Sequence, residues 1–314
     1  MKTYITHRLL MMLLTLFGMS VVIFILLRLA PGNIVDILFD SAGYVNPAHK
    51  KQIEKELGFD QPWVIQYLRW MGDLLQGNLG RSYRLEISAW KLISTRIPVT
   101  LELAVLAIIA AILIGVPAGV ISAVRQDSKV DYLLRVVSLS GLSMPSFWLG
   151  LLIILGMIYT LNLSPIYISP PKDLAGHLLL FGIPALAVGF RSSALIMRLT
   201  RSSMLEVMRQ DYIRTARAKG QSERVVNFHH ALKNAMLPVI TVIGIEFAFL
   251  IGGLVVTETV FNIPGVARFL VQAILWRDYP IVQNLVMFIA VIVTLMNLLV
   301  DLVYVWLDPR IQYG

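Results

Sequence analysis

The chain has 314 residues, 57% of them hydrophobic and only 15% charged, with a mean hydropathy of +0.74. A soluble globular chain carries roughly a quarter charged residues, so that class is excluded and an integral membrane protein is expected. The net charge is +8, but the cations sit between apolar runs rather than on a polar domain, which is the membrane pattern and argues against nucleic acid as a partner.

The first apolar run, Leu9 to Leu27, holds 19 residues without a charge. A secretory signal core is about 7–15 residues long and ends in a small-x-small cleavage site. This run ends instead in "LRLAPGN", so an uncleaved first span is expected, with Arg8 on the inner side. A span needs about 20 mainly apolar residues. Six segments qualify, near 9–29, 99–124, 136–160, 178–200, 234–256 and 281–306. The expected fold class is an all-α integral membrane protein with six transmembrane helices. Three divisions follow: 1–30, the N-terminus and first span; 31–98, a folded helical external segment; 99–314, a five-span core with a polar loop at about 201–233.

Within 31–98, "NPAHKKQIEKELG" offers Asn46 as an N-cap, Pro47 at the first helical position and Gly58 as a stop. "QPWVIQYLRWMGDLLQG" places Val64, Tyr67, Leu68, Met71 and Leu75 on one helical face. "ISAWKLISTRI" reads as a short amphipathic helix with Trp90 at headgroup level. In the second span, Gly115 and Gly119 of "GVPAG" have the small-xxx-small spacing that permits close helix contact, and Pro117 marks a kink. "SMPSFWLG" opens the third span; Met144, Phe147 and Trp148 beside Pro145 are either a kinked, aromatic part of a translocation path or interface anchors. The fifth connection holds a helical pattern from Pro264 to Trp276, with Val266, Phe269, Leu270, Ala273 and Ile274 on one side. These connecting helices either meet an external partner or only close the bundle.

Lys and Arg crowd connections two and four: Arg125, Lys129, Arg135, Arg201, Arg209, Arg214, Arg217, Lys219, Arg224 and Lys233. The short loops on the other side carry Lys172, Arg268 and Arg277. The positive-inside rule then puts both termini in the cytoplasm. Three ionisable residues fall within or near spans, where they are costly unless paired or wet: Arg191, Glu246 and Asp301. Arg191 and Glu246 lie at depths that differ by roughly 5 Å at the helical rise. Either they pair structurally or both face a polar translocation path, while Asp301 sits near the cytoplasmic end of its span.

Catalytic chemistry is scarce. No Walker A phosphate cradle occurs, nor HExxH. "GLSM" is one residue short of a GxSxG elbow. His229 and His230 are neighbours, which do not share a helical face, so no metal site is expected. There are no cysteines. The expectation is a chain that is not itself an enzyme.

What remains is "DYIRTARAKGQSERVVNFHHALKNAMLPV", Asp211 to Val239, a cationic polar loop between two apolar spans. It reads as two short helices. The first runs from about Met204 to Lys219 and ends at Gly220, a left-handed C′ residue. The second is capped by Ser222 and runs to Leu237, with Pro238 opening the fifth span. Small residues allow close approach, and arginines offer planar donors to carboxylates. From composition alone, two readings stand: docking on a cytoplasmic protein, or gripping anionic lipid.

"RTARAKG" followed by "LP" resembles the cytoplasmic loop of ABC importer permeases, and more closely that of the dipeptide/oligopeptide/nickel permease family. The similarity continues through "LRLAPGN", "LGFDQPWVIQYLRWMGDLLQGNLGRSY", "SMPSFWLG", "ETVFNIPGVARFLVQAILWRDYPIVQ" and "NLLVDLVYVWLDPRI", in order over nearly the whole chain. The resemblance implies the ABC importer permease fold, in the prokaryotic inner membrane. It implies a homologous second permease, two ATPase subunits that bind ATP and Mg, and an external binding protein; this chain binds no cofactor. Tyr212, Arg214, Thr215, Ala216, Arg217, Ala218, Lys219 and Gly220 become the ATPase-docking residues, closed by Leu237 and Pro238. One departure stands out: Arg214-Thr215-Ala216 replaces the Glu-Ala-Ala of the broader importer pattern, and Glu206 and Asp211 are the candidates for the acidic contact, which the sequence leaves open. The cargo implied is a di- or oligopeptide, with nickel complexes, glutathione or other small solutes as alternatives. The rival from another class is a proton-coupled secondary transporter using the intramembrane carboxylates; a membrane-anchored scaffold is the third.

Overall fold

In a bilayer every backbone polar group has to be satisfied within its own segment, so long apolar runs fold as helices. The computed structural model describes residues 2–30, 35, 51, 54–55, 58–171 and 173–307, with side chains described between residues 6 and 300 of that set. Asn46, Pro47, Lys172 and the side chain of Asp301 lie outside it.

The helices, in chain order, are α1 Lys2–Leu29, α2 Trp63–Leu75, α3 Ala89–Ser94, α4 Ile97–Val124, α5 Lys129–Ser143 and α6 Ser146–Leu161. They continue with α7 Leu174–Met208, α8 Asp211–Ala218, α9 Glu223–Gly253, α10 Val255–Val260, α11 Val266–Leu275 and α12 Tyr279–Leu307. Among the described residues five are long and apolar enough to cross a membrane, or six if α5 and α6 count as one broken span. That pair covers the expected third span, and the chain bends there by 103° around Met144 and Pro145, where the sequence offered a kink. The residue before a proline is pushed out of the helical region, and Met144 is extended at φ −87°, ψ 130°. Pro117, by contrast, sits inside an unbroken α4.

The chain divides into two units, residues 1–99 with 264–294 and residues 100–263 with 295–314. Residues 264–294, assigned from the sequence to the core, thus pack with the first unit.

In the first unit, Ala89, Leu92 and Ile93 of α3 bury against Val266, Phe269 and Ala273 of α11 and Ile281, Val282 and Leu285 of α12. Trp90 stays exposed. Asp278, fully buried, fastens this core: Ser82 Oγ donates to it, as do the backbone N–H groups of Tyr83 (3.2 Å) and Arg84 (3.3 Å). The expected apolar face of α2 is only partly the packed one. Tyr67 reaches α1, its hydroxyl 2.8 Å from Ser20 Oγ and its ring edge-on to Phe24. Val64, Leu68 and Leu75 remain exposed. Aromatic and polar groups, not the aliphatic stripe, make that contact.

In the second unit, α4 and α7 touch through glycine. A Cβ on Gly115 would lie 2.6 Å from the Ser193 carbonyl oxygen, and one on Gly119 would lie 2.6 Å from Thr200 Cβ. A Cβ on Gly189 of α7 would meet the Ala107 carbonyl oxygen at 2.6 Å. The paired glycines thus allow the backbone approach that their spacing suggested. Buried Asp131 of α5 clamps the same region. It accepts two bonds of 2.9 Å from Arg201 of α7, one of 3.0 Å from the Asp127 N–H and one from Ser122 Oγ, with Arg135 at 3.4 Å.

Within the first unit, the first connection bonds to the fifth through Ser82 and Asp278. The third bonds to the fifth through the Tyr167 N–H and the Phe261 carbonyl (2.8 Å), with Asn262 Nδ2 donating back to the Tyr167 carbonyl (2.7 Å).

Candidate functional site

The polar loop folds differently from the two helices expected. Helix α7 runs on to Met208, so Met204 to Met208 belong to the fourth span. The chain then breaks at Arg209 and extended Gln210 (φ −72°, ψ 150°), and α8 begins at Asp211. The reason is packing. With the break, Ile213 and Ala216 bury against Val120, Ala123, Met204 and Val226. Gly220 takes φ +73°, the left-handed C′ position that glycine adopts without a Cβ clash. The expected second loop helix does not exist separately. From Glu223 the chain is helical to Gly253, through a π-helical stretch at Val226–Leu232. Pro238 therefore lies inside α9 rather than opening it; it removes one backbone bond, which a 31-residue helix tolerates.

Three braces fix α8. Its inner side, Ile213 and Ala216, is core. Arg217 forms a two-pronged pair with Glu223 across the Gly220 turn, at 2.9 and 3.3 Å. The Tyr212 hydroxyl accepts from Asn234 Nδ2 of α9 at 2.9 Å. Asp211, Arg214, Thr215 and Ala218, spaced i, i+3, i+4 and i+7, form the opposite stripe and are all exposed. Arg214 has 74% of its side chain accessible and pairs with exposed Asp211 at 3.3 Å. Lys219 and Gly220 are exposed at the tip. Tyr212 to Gly220 are thus one continuous feature. Leu237 and Pro238 stand apart on α9, Leu237 half-buried and Pro238 exposed.

The candidate path residues fall into two groups. Phe147 and Trp148, exposed, follow the α5–α6 break, with Met144 half-buried at its corner. Arg191 and Glu246 meet the α7–α9 seam but do not pair with each other. Ser192 Oγ donates to buried Glu246 at 2.6 Å, while the Arg191 guanidinium stands 5.7 Å from the centre of the Phe249 ring. The sequence reading missed three acids: Asp131, Asp278, and Glu258, which is fully buried and accepts from Thr100 Oγ1 at 2.6 Å. Each is partnered from a distant segment, so no local pattern announced it.

Long apolar helices, one broken span, glycine seams and a braced polar outcrop define a membrane-spanning helical bundle. Residues 115–313 match the family described as binding-protein-dependent transport system inner membrane component, and residues 1–104 match its N-terminal family; the chain belongs to this family of ABC importer permeases. It is 40% identical to a di/tripeptide transport system permease protein of Pseudomonas aeruginosa, covering 100% of this chain and 99% of the relative. It is 38% identical to an oligopeptide transport system permease protein of Bacillus subtilis, covering 100% of each. The solved structure of a methionine ABC transporter in inward-facing form shares the fold at 17% identity, with a TM-score of 0.58 over 69% of this chain and 96% of that one.

Proposed function

We propose that this chain forms half of the transmembrane pathway of an ATP-driven importer of di- or oligopeptides, and that α8 couples it to cytoplasmic ATPase subunits. The observation that carries this reading is α8 itself. An eight-residue helix buries its inner side in the permease, is tied at both ends, and leaves an outer stripe free for contact. A rigid, braced outcrop transmits force where a loose basic loop would only grip lipid.

The full-length relatives' cargo supports peptides as substrates. The partners are a homologous second permease, two ATPase subunits that hold ATP and Mg, and an external binding protein. The membrane is the prokaryotic inner membrane, with α8 and both termini inside, as the Lys and Arg distribution argues. ATP binding by the partners biases a two-state bundle through α8. Tyr212, Arg214, Thr215, Ala216, Arg217, Ala218, Lys219 and Gly220 make or support the contact. Arg214 with Asp211 presents a mixed charge where the broader importer pattern has an acid.

The test is uptake of a labelled dipeptide into proteoliposomes holding the complete complex. Uptake that requires ATP and survives a protonophore is expected. Uptake driven by a proton gradient without ATPase subunits would overturn the reading.

A further inference from the structure

A cavity of about 350 Å³ lies in the first unit, between the end of α1, helix α2, the loop at Asn78–Tyr83 and the start of α12. We propose that it binds the carboxylate end of a short peptide; this deepens the importer reading and rests on it.

The cavity falls in the range of small-molecule pockets, about 300–1,000 Å³. Its walls carry hydrogen-bonding atoms with no partner. Arg28 Nη1, Trp70 Nε1 and Gln283 Nε2 are buried donors left unmet, and Asn284 Oδ1 is a buried acceptor left unmet. Gln283 is 3% exposed and Asn284 5%. Such groups are costly to bury alone.

The groups are also held in place. Arg28 donates Nε and Nη2 to Gln66 Oε1 at 3.2 and 3.0 Å, and Gln66 is itself anchored to the Gln61 carbonyl at 2.8 Å. The guanidinium lies 3.7 Å from the centre of the Phe24 ring and 5.2 Å from that of Tyr279. It forms no ion pair among the described residues. Asn284 Nδ2 donates to the carbonyls of Leu79 (2.8 Å) and Pro280 (2.7 Å), which turns Oδ1 away as a free acceptor.

Charge narrows the ligand. Among the described residues Arg28, Arg69 and Arg81 line the cavity against one carboxylate, Asp73, so an anionic group is favoured. Guanidinium binds carboxylate and phosphate alike. Asn284 Oδ1 needs a hydrogen-bond donor: a peptide supplies an N–H beside its carboxylate, whereas phosphate fills it only with a protonated oxygen, and the titration below separates the two.

The experiment uses the assembled complex in nanodiscs, without ATP or external binding protein. Calorimetric titration compares alanyl-alanine, its C-terminal amide and inorganic phosphate. Alanyl-alanine is expected to bind at least tenfold more tightly than either. Arg28→Gln should lower its affinity tenfold or more, Gln283→Leu several-fold, and Arg28→Lys by an intermediate factor. Intact assembly is checked by size-exclusion chromatography. If Arg28→Gln does not assemble, Gln283→Leu decides. Equal binding of acid and amide, tighter binding of phosphate, no binding at all (a cavity that holds water only), or unchanged affinity in the variants would overturn the proposal. Dipeptide uptake by the unaltered complex is measured in parallel. Uptake without carboxylate-dependent binding removes the cavity's role alone, whereas binding without ATP-driven uptake removes the importer reading.

Discussion

Asp131→Asn is the sharpest test of how α5, α7 and the α4–α5 turn are held together. The carboxylate is fully buried and accepts from Arg201 twice, Ser122 and the Asp127 N–H. The amide keeps the shape but removes the charge, leaving Arg201, with only 19% of its side chain accessible, without its anion. Breaking a buried pair from one side costs about 3–5 kcal/mol. Arg201 retains some water, so the lower end, about 3 kcal/mol, is expected, a shift of roughly 150-fold in the local opening equilibrium. Hydrogen–deuterium exchange of the nanodisc complex over residues 122–136 and 197–205 reads this directly. Replacing both partners, Asp131→Leu with Arg201→Leu, should recover much of the loss, because the desolvation of both charges is removed together. Unchanged exchange in Asp131→Asn, or a double variant no better than the single one, would refute the reasoning.

Gly119→Val should destabilise the α4–α7 seam by about 1–3 kcal/mol through overpacking, since its Cβ would lie 2.7 Å from the backbone oxygen of Met197; thermal unfolding in detergent checks it, and Gly156→Ala, with nothing within 4 Å, serves as a neutral control. Gly220→Ala forces a Cβ into φ +73° and should cost about 1–2 kcal/mol, lowering ATP-dependent uptake, with Gly220→Asn milder than alanine. Asp278→Ala leaves the donors of Ser82, Tyr83 and Arg84 without their acceptor, so limited proteolysis should cut faster near residues 82–88 while α8 keeps its protection.

Much of this was legible in the sequence for a physical reason: apolar length and punctuation act locally. The spans follow from run length, the α5–α6 break from Pro145, the α8 stop from Gly220, and the seam from Gly115 and Gly119. The failures share the opposite cause. Where α7 ends depends on Ile213 finding Val120 and Ala123, about ninety residues earlier. Asp131 drew no notice because its partner, Arg201, lies seventy positions on. Depth left Arg191 and Glu246 either paired or facing a common path; the carboxylate takes its bond from the Ser192 hydroxyl, one residue along, not from Arg191. Pro238 suggested a helix boundary, but it sits inside continuous α9.

The chain contains no cysteine, so a single introduced thiol reports one position cleanly. Ala218→Cys puts it on the outer stripe of α8, and Ile168→Cys, 86% exposed in the third connection, puts it on the opposite side of the expected topology. With a short bifunctional cross-linker, the account predicts that Ala218→Cys joins an ATPase subunit and stops ATP-driven uptake, while Ile168→Cys joins none. An ATPase adduct from Ile168→Cys, or labelling of Ala218→Cys only by reagent added outside the cell, would contradict it.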